Sequence, residues 1–244
     1  MINLTTQQKG NLVLSGNGET AGGIFDKVVI NGSGKVNGHI ECNDFQCNGS
    51  ARVNGNIASQ RAIINGSTKV VGNIVSERME IHGHSTIEGT VNFEKLEING
   101  HAKIRNSVKG EKLSLEGMVK VEGDCEVEEA YLKGVFTING LLNADMISIQ
   151  LHGRSSVKEI GGEKVTVKRE NGVLSILEKL LKPFSKELQV ELIEGDVLNL
   201  EYTKANTVRG NQIVIGPGCE IGVVEYSGDL HISNDAIVKE KVQI

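Results

Sequence analysis

The chain reads as an all-β parallel β-helix, and three observations carry that reading: a 17-residue repeat, a glycine fixed within it, and period-2 alternation of apolar residues between glycines. Seven consecutive units run from residue 28 to 146 without insertion or deletion: VVINGSGKVNGHIECND, FQCNGSARVNGNIASQR, AIINGSTKVVGNIVSER, MEIHGHSTIEGTVNFEK, LEINGHAKIRNSVKGEK, LSLEGMVKVEGDCEVEE and AYLKGVFTINGLLNADM. The fifth position is Gly32, Gly49, Gly66, Gly83, Gly100, Gly117 and Gly134. The ninth is always Val or Ile, from Val36 to Ile138. The eleventh is Gly except at Asn106, and Asn is the residue that next most readily accepts a positive φ, so both positions read as tight corners.

Within a unit the apolar or small residues fall at positions 1, 3, 7, 9 and 13, the spacing of short strands rather than of a helix. Seventeen residues at about 3.3 Å each give roughly 56 Å of chain, enough for one turn of a small coil with three short sides. Such a coil cannot bury its inner face alone and does so against its neighbours. Coils about 4.8 Å apart make residues 17 apart vertical neighbours.

Composition agrees. Among 244 residues only 3% are aromatic and Trp is absent, which excludes a large aromatic core, while 30 glycines need the structural use that corners provide. A net charge of -5 gives no reason to expect nucleic-acid binding. No signal-peptide pattern and no 18-residue apolar run is visible, so a cytoplasmic location is expected.

Taken in order, a first coil opens with Leu12, Val13 and Leu14, the seven units follow, and ISIQLHGRSSVKEIGGE forms a degenerate eighth with Leu151 in place of the corner glycine. A strand-like KVTVK at 164–168 precedes VLSILEKLLKPF, whose Val173, Ile176, Leu177, Leu180, Leu181 and Phe184 fall on one helical face. Asn171-Gly172 turns into it and Pro183 ends it, predicting a short amphipathic α-helix insertion over 173–182. From Leu188 the strand pattern returns, with segments 17 apart at Ile213 and Leu230. The expected organisation is a β-helix over 1–163, a strand and helix connector over 164–187, and further coils over 188–244 that either continue the first stack or form a second.

The apolar-x-apolar-Asn-Gly opening and the middles Val36-Asn37-Gly38-His39-Ile40, Val53-Asn54-Gly55-Asn56-Ile57 and Val70-Val71-Gly72-Asn73-Ile74 resemble the bactofilins, polymer-forming bacterial cytoskeletal proteins. The resemblance is specific over 28–146 and weaker over 188–244. It implies a right-handed β-helix that assembles end to end into filaments without a nucleotide, often on the cytoplasmic membrane, as a scaffold for envelope, shape or motility proteins. The family flanks one β-helix with proline-rich tails, whereas this chain has only Pro183 and Pro217 and adds a helix and a second strand block.

Motifs for chemistry are sparse. Gly16-Asn17-Gly18 and Gly32-Ser33-Gly34 lack the third glycine and following helix of a phosphate loop. Asn31-Gly32-Ser33, Asn48-Gly49-Ser50 and Asn65-Gly66-Ser67 fit glycosylation sequons but recur at the repeat period, as Asn-Gly corners do. Of Cys42, Cys47, Cys125 and Cys219, Cys47 and Cys125 fall at inward positions and read as small core residues. His39, Cys42 and Cys47 do not supply a zinc set, because the coil puts His39 outside and Cys47 inside. His84 and His101 share position 6 of adjacent units and should stack on the outer surface. No catalytic, metal or cofactor site is expected.

Two surface features remain. Position 8 carries Lys35, Arg52, Lys69, Lys103 and Lys120 with Thr86 and Thr137 interrupting, a row of cations suited to anionic lipid headgroups or an acidic partner, with Glu88 and Glu122 at position 10 able to neutralise it. The open ends of a β-helix expose unpaired backbone groups and apolar interior, which solenoids otherwise cap with polar residues. Leu12 and Leu14 at one end, and Leu230, Ile232, Ile237, Val238 and Val242 at the other, are the expected self-assembly contacts, unless the helix at 173–182 covers an end.

The expected function is a non-enzymatic cytoskeletal scaffold. Partners are further copies of the chain, with a paralogous bactofilin and a membrane surface at the inner face of the cell as additional candidates, and no nucleic acid. The alternative is a β-helix carbohydrate-active enzyme or carbohydrate-binding module. Such enzymes build clefts from long loops, and seven units of one length leave no such loop; the acidic corners Glu77, Glu94, Glu111 and Glu128 form no distinct pair. A hexapeptide acyltransferase repeats every six residues, which 17 does not match.

Overall fold

Each strand pairs in parallel with the strand one coil away, so the ninth-position residues form a column: Val36 faces Val53, then Val70, Ile87, Ile104, Val121 and Ile138. All seven are at most 3% exposed. A computed structural model describes residues 9–169 and 186–244. The helix expected over 173–182 lies outside the described residues, among which the regular elements are all strands. The chain is thus a parallel β-solenoid.

Each coil has three sides. In the coil around residue 90 the paired stretches are His84–Ile87, Val91–Phe93 and 95–98, and the breaks in pairing at 88–90, at Glu94 and at 99–100 mark the corners. Side chains at positions 1, 3, 7, 9 and 13 point inward, as Leu96, Ile98, Ala102, Ile104 and Val108 do in one unit. Position 15 is also inward, with Cys42, Ser76, Phe93, Val127 and Ala144 all buried. Sequence reading missed that row because its residues vary from Ser to Phe, with Gly110 among them, and no apolar signature survives the averaging.

The glycine corners need correction. Only Gly38 and Gly134 among the corner glycines have a positive φ, 124° and 143°, and Asn106 is not in the left-handed region; among non-glycine residues Tyr202 is, at 48°. Close stacking selects glycine instead. A Cβ on Gly49, Gly66, Gly83, Gly100 or Gly117 would collide with the carbonyl oxygen of the corner glycine in the coil before it.

Polar ladders run beside these corners. Asn48 Nδ2 donates to Asn31 Oδ1 (2.8 Å) and Asn65 Nδ2 to Asn48 Oδ1 (2.9 Å), so the sequon-like asparagines are engaged with one another. At position 12 the backbone N–H of Asn56 donates to His39 Nδ1 (3.0 Å), that of Asn73 to Asn56 Oδ1 (2.9 Å) and that of Thr90 to Asn73 Oδ1 (2.9 Å). Corner amides that lack a ladder carbonyl are thereby satisfied.

Coil length changes while pairing persists. Leu12 pairs with Val28, sixteen on; Met146 pairs with Lys164, eighteen on; Leu188 pairs with Thr203, fifteen on. Ser155–Arg169 and Leu188–Leu200 pair side by side, Val165 against Leu198. Residues 188–244 therefore stack directly on the preceding coils. Two extra residues follow Leu151 before Ser156 pairs with Thr137, and Leu151 itself is fully buried opposite Gly134.

Candidate functional site

The C-terminal coil is formed by Leu230–Ile232 on Ile213–Ile215 and by Ile237–Gln243 on Glu220–Tyr226. Among the described residues neither strand has a second neighbour, so one backbone edge of each is unpaired. Leu230, Ile232 and Val238 are half-buried against the core from one side, Val242 is half-buried, and Ile237 is 61% exposed. At the other end Leu12 and Leu14 are half-buried over Val28 and Ile30. The two sets lie at opposite ends of the stack.

The position-8 residues line up coil by coil from Lys35 to Thr137. They are not a bare cationic row. Lys35 pairs with Glu19 (2.9 Å), Lys69 with Glu88 (2.9 Å) and Lys103 with Glu122 (3.1 Å), while Arg105 reaches Glu88 (2.6 Å) and Glu122 (3.9 Å). Arg52 Nε donates to Asn54 Oδ1 (3.0 Å). Hydrogen bonds from Lys35, Lys69 and Lys103 hold the carboxyls of Glu19, Glu88 and Glu122 below their ordinary range. At positions 8 and 10 cations still outnumber acids, and Thr and Asn occupy most of the uncharged places.

The opposite corner is acidic over a longer stretch than the sequence indicated. Glu77, Glu94, Glu111 and Glu128 continue without a break into Asp145, Glu163 and Asp196, one residue before the paired column Arg78, Lys95, Lys112, Glu129, Met146, Lys164 and Val197. All seven are exposed, and none makes an ion pair among the described residues. Asp145 holds the same sixteenth place in the seventh unit, whereas Glu163 and Asp196 were missed because the unit lengthens to 18 residues and is then interrupted by 170–185, so that counting in seventeens loses the column.

Where the chain re-enters the stack, Glu187 has a side chain only 11% exposed and lies 3.2 Å from Arg154 Nε and 3.5 Å from Lys204 Nζ, and it accepts from Gln189 Nε2 at 3.1 Å. Lys204 also meets Glu220 at 3.1 Å, and that hydrogen bond raises its pKa. This network borders an open groove of about 700 Å³ lined by Ser156, Gln189, Lys204, Glu220 and Ile237. The charges of Arg154, Glu187, Lys204 and Glu220 offset one another within the network.

The remaining candidates are structural. His84 and His101 stack as expected, with ring centroids 4.6 Å apart and planes 1° from parallel. All four cysteines are buried and unpaired. Burial pushes the thiols of Cys42 and Cys125 up to about 12 and that of Cys219 up to about 11. Among the described residues no group of three or more His, Cys, Asp or Glu is placed to hold a metal ion, and no helix is long and apolar enough to cross a membrane.

Residues 1–92 match the family model of the bactofilins, described as polymer-forming cytoskeletal. The chain is 45% identical over 108 residues to the uncharacterized protein YhbE of Bacillus subtilis (strain 168), covering 44% of each chain. It is 40% identical over 106 residues to the uncharacterized protein YhbF of the same organism, covering 43% of this chain and 42% of that one. The matches thus span less than half the length of these curated relatives. No solved structure matches the chain.

Proposed function

We propose that this chain, whose residues 1–92 match the polymer-forming bactofilins, assembles end to end into filaments without a nucleotide. In that form it serves as a scaffold for envelope, shape or motility proteins. The observation that carries the proposal is the pair of unpaired strand edges at Leu230–Ile232 and Ile237–Gln243 over a half-buried apolar cross-section. A β-solenoid coil exposes the same hydrogen-bonding groups that join its interior coils, and a second copy can pair there as another coil does. Leu230, Ile232, Ile237, Val238 and Val242 supply apolar contacts at one end and Leu12 and Leu14 at the other. A paralogous bactofilin with the same coil cross-section would fit the same edges.

Ile232→Lys places a charge in the end contact. Filament length is read by electron microscopy, with the fold checked by circular dichroism. Shorter assemblies of folded protein support the proposal, whereas filaments of unchanged length would remove this end from it.

A further inference from the structure

We infer that the stacks also associate side by side, the acidic corner of one copy resting on the cationic face of the next. The three-sided coil carries the inference. The face bearing position 8 lies between the corners at positions 4–5 and 10–12, so the corner at position 16 is diametrically opposite it. One surface is Lys35, Arg52, Lys69, Lys103 and Lys120 with Arg105, against Glu19, Glu88 and Glu122 on the same face. The other is Glu77, Glu94, Glu111, Glu128, Asp145, Glu163 and Asp196, exposed and without ion pairs among the described residues, beside an adjacent column with Arg78, Lys95, Lys112 and Lys164, of which Lys95 and Lys112 are already paired with Glu97 and Glu129.

Both rows advance by one residue per coil and so share one pitch, about 4.8 Å, which lets many pairs form together when two copies lie parallel. Charge complementarity fixes register and disfavours wrong pairings. The acidic row begins two coils after the cationic row. A stagger of two coils sets Lys35 opposite Glu77, Arg52 opposite Glu94, Lys69 opposite Glu111, Lys103 opposite Asp145 and Lys120 opposite Glu163. A stagger of three coils also gives all five cations a partner, so neighbouring stacks should be offset by about 10–15 Å. An antiparallel neighbour can also give all five cations an acidic partner, so the two rows fix the offset of neighbouring stacks rather than their direction. Because the contact uses different surfaces on each copy, it does not close on itself and propagates in a line. A flat sheet of stacks results, whatever happens at the stack ends.

The test is a charge swap in the full chain. One variant carries Glu77→Lys, Glu94→Lys and Glu111→Lys; the other carries Lys35→Glu, Arg52→Glu and Lys69→Glu, their partners at a two-coil stagger, with thermal melts confirming that each folds. Parent protein should form lateral assemblies at low salt, seen by sedimentation and electron microscopy, that separate near 1 M salt where the screening length is ~3 Å. Each variant alone should lose them, and an equimolar mixture should restore them. Should the Lys→Glu variant fail to fold, the salt response and the Glu→Lys variant still decide. Side-by-side assemblies that ignore both salt and substitution would overturn the inference, as would no restoration on mixing two folded variants. Binding of the parent to phosphatidylserine vesicles that is lost in Lys35→Gln/Arg52→Gln/Lys120→Gln, with lateral assembly unchanged, would also overturn it and assign the face to lipid. Lateral assembly is scored as width or dimerisation, separately from filament length, so failure of end-to-end growth is distinguishable.

Discussion

Lys69 and Val70 are adjacent in sequence and face opposite environments. Val70 is fully buried between Val53 and Ile87, while Lys69 extends to solvent and Glu88. Val70→Asp should cost on the order of 4 kcal/mol or more, because an unpaired charge enters the interior column, whereas Lys69→Gln should stay within about 0.5 kcal/mol. Denaturant melts of the two variants check this, and equal losses would contradict the inward and outward assignment. The glycines give a second contrast. Gly66→Ala drives a Cβ into the carbonyl of Gly49 and should cost about 1–3 kcal/mol, while Gly16 has open space around it and Gly16→Ala should be nearly silent. The thiols give a third: with Cys42, Cys125 and Cys219 buried and poorly ionised, iodoacetamide at pH 8 should leave them unmodified in native protein and alkylate all four cysteines once it is unfolded. Mass spectrometry reads the outcome, and rapid native labelling of Cys125 would contradict its place in the core.

Ladders one coil apart are the element that joins local sequence to the stack, and their charged members set its response to acid. Glu19, Glu80, Glu88 and Glu122 all titrate below the ordinary value of 4.5 in the folded chain, Glu80 through Arg61 and the others through lysines. A carboxyl with a depressed folded pKa contributes stability above its unfolded pKa and loses it as pH falls through the folded one. The melting temperature should therefore be flat from pH 7 to 5 and fall below about 4.5, with a shallower fall in Glu88→Gln/Glu122→Gln. Because these groups are exposed, the neutral-pH loss in that double variant should be small.

The same element explains what sequence could reveal. The columns through Val36 and Ile30 were legible because a strict 17-residue period repeats one physical environment seven times. Past Met146 the period becomes 18, then 15, then 16, and the pairing of Val165 with Leu198 cannot be counted from either side of 170–185. Glu163 and Asp196 of the acidic corner were lost for that reason. The glycine positions were found but their cause was mistaken, since a requirement for close approach and one for positive φ leave the same letter in the sequence.

At the scale of the whole molecule, the stack has a regular interior and paired charges along one face and, among the described residues, unpaired acids along the opposite corner and unpaired strand edges at its C-terminal coil. Nearest-neighbour contacts dominate such a solenoid, so adding a coil from another chain resembles adding one from the same chain. The polymer-forming description of the family matched by residues 1–92 agrees with that physics. The columns of paired and unpaired charge, in contrast, depend on coil register, which sequence alone specified only in the middle of the chain. The most direct test of the central claim is sedimentation with electron microscopy of purified protein at micromolar concentration, without nucleotide and across a range of salt. End-to-end filaments are the predicted result, and monomers or closed dimers at every salt concentration would contradict it.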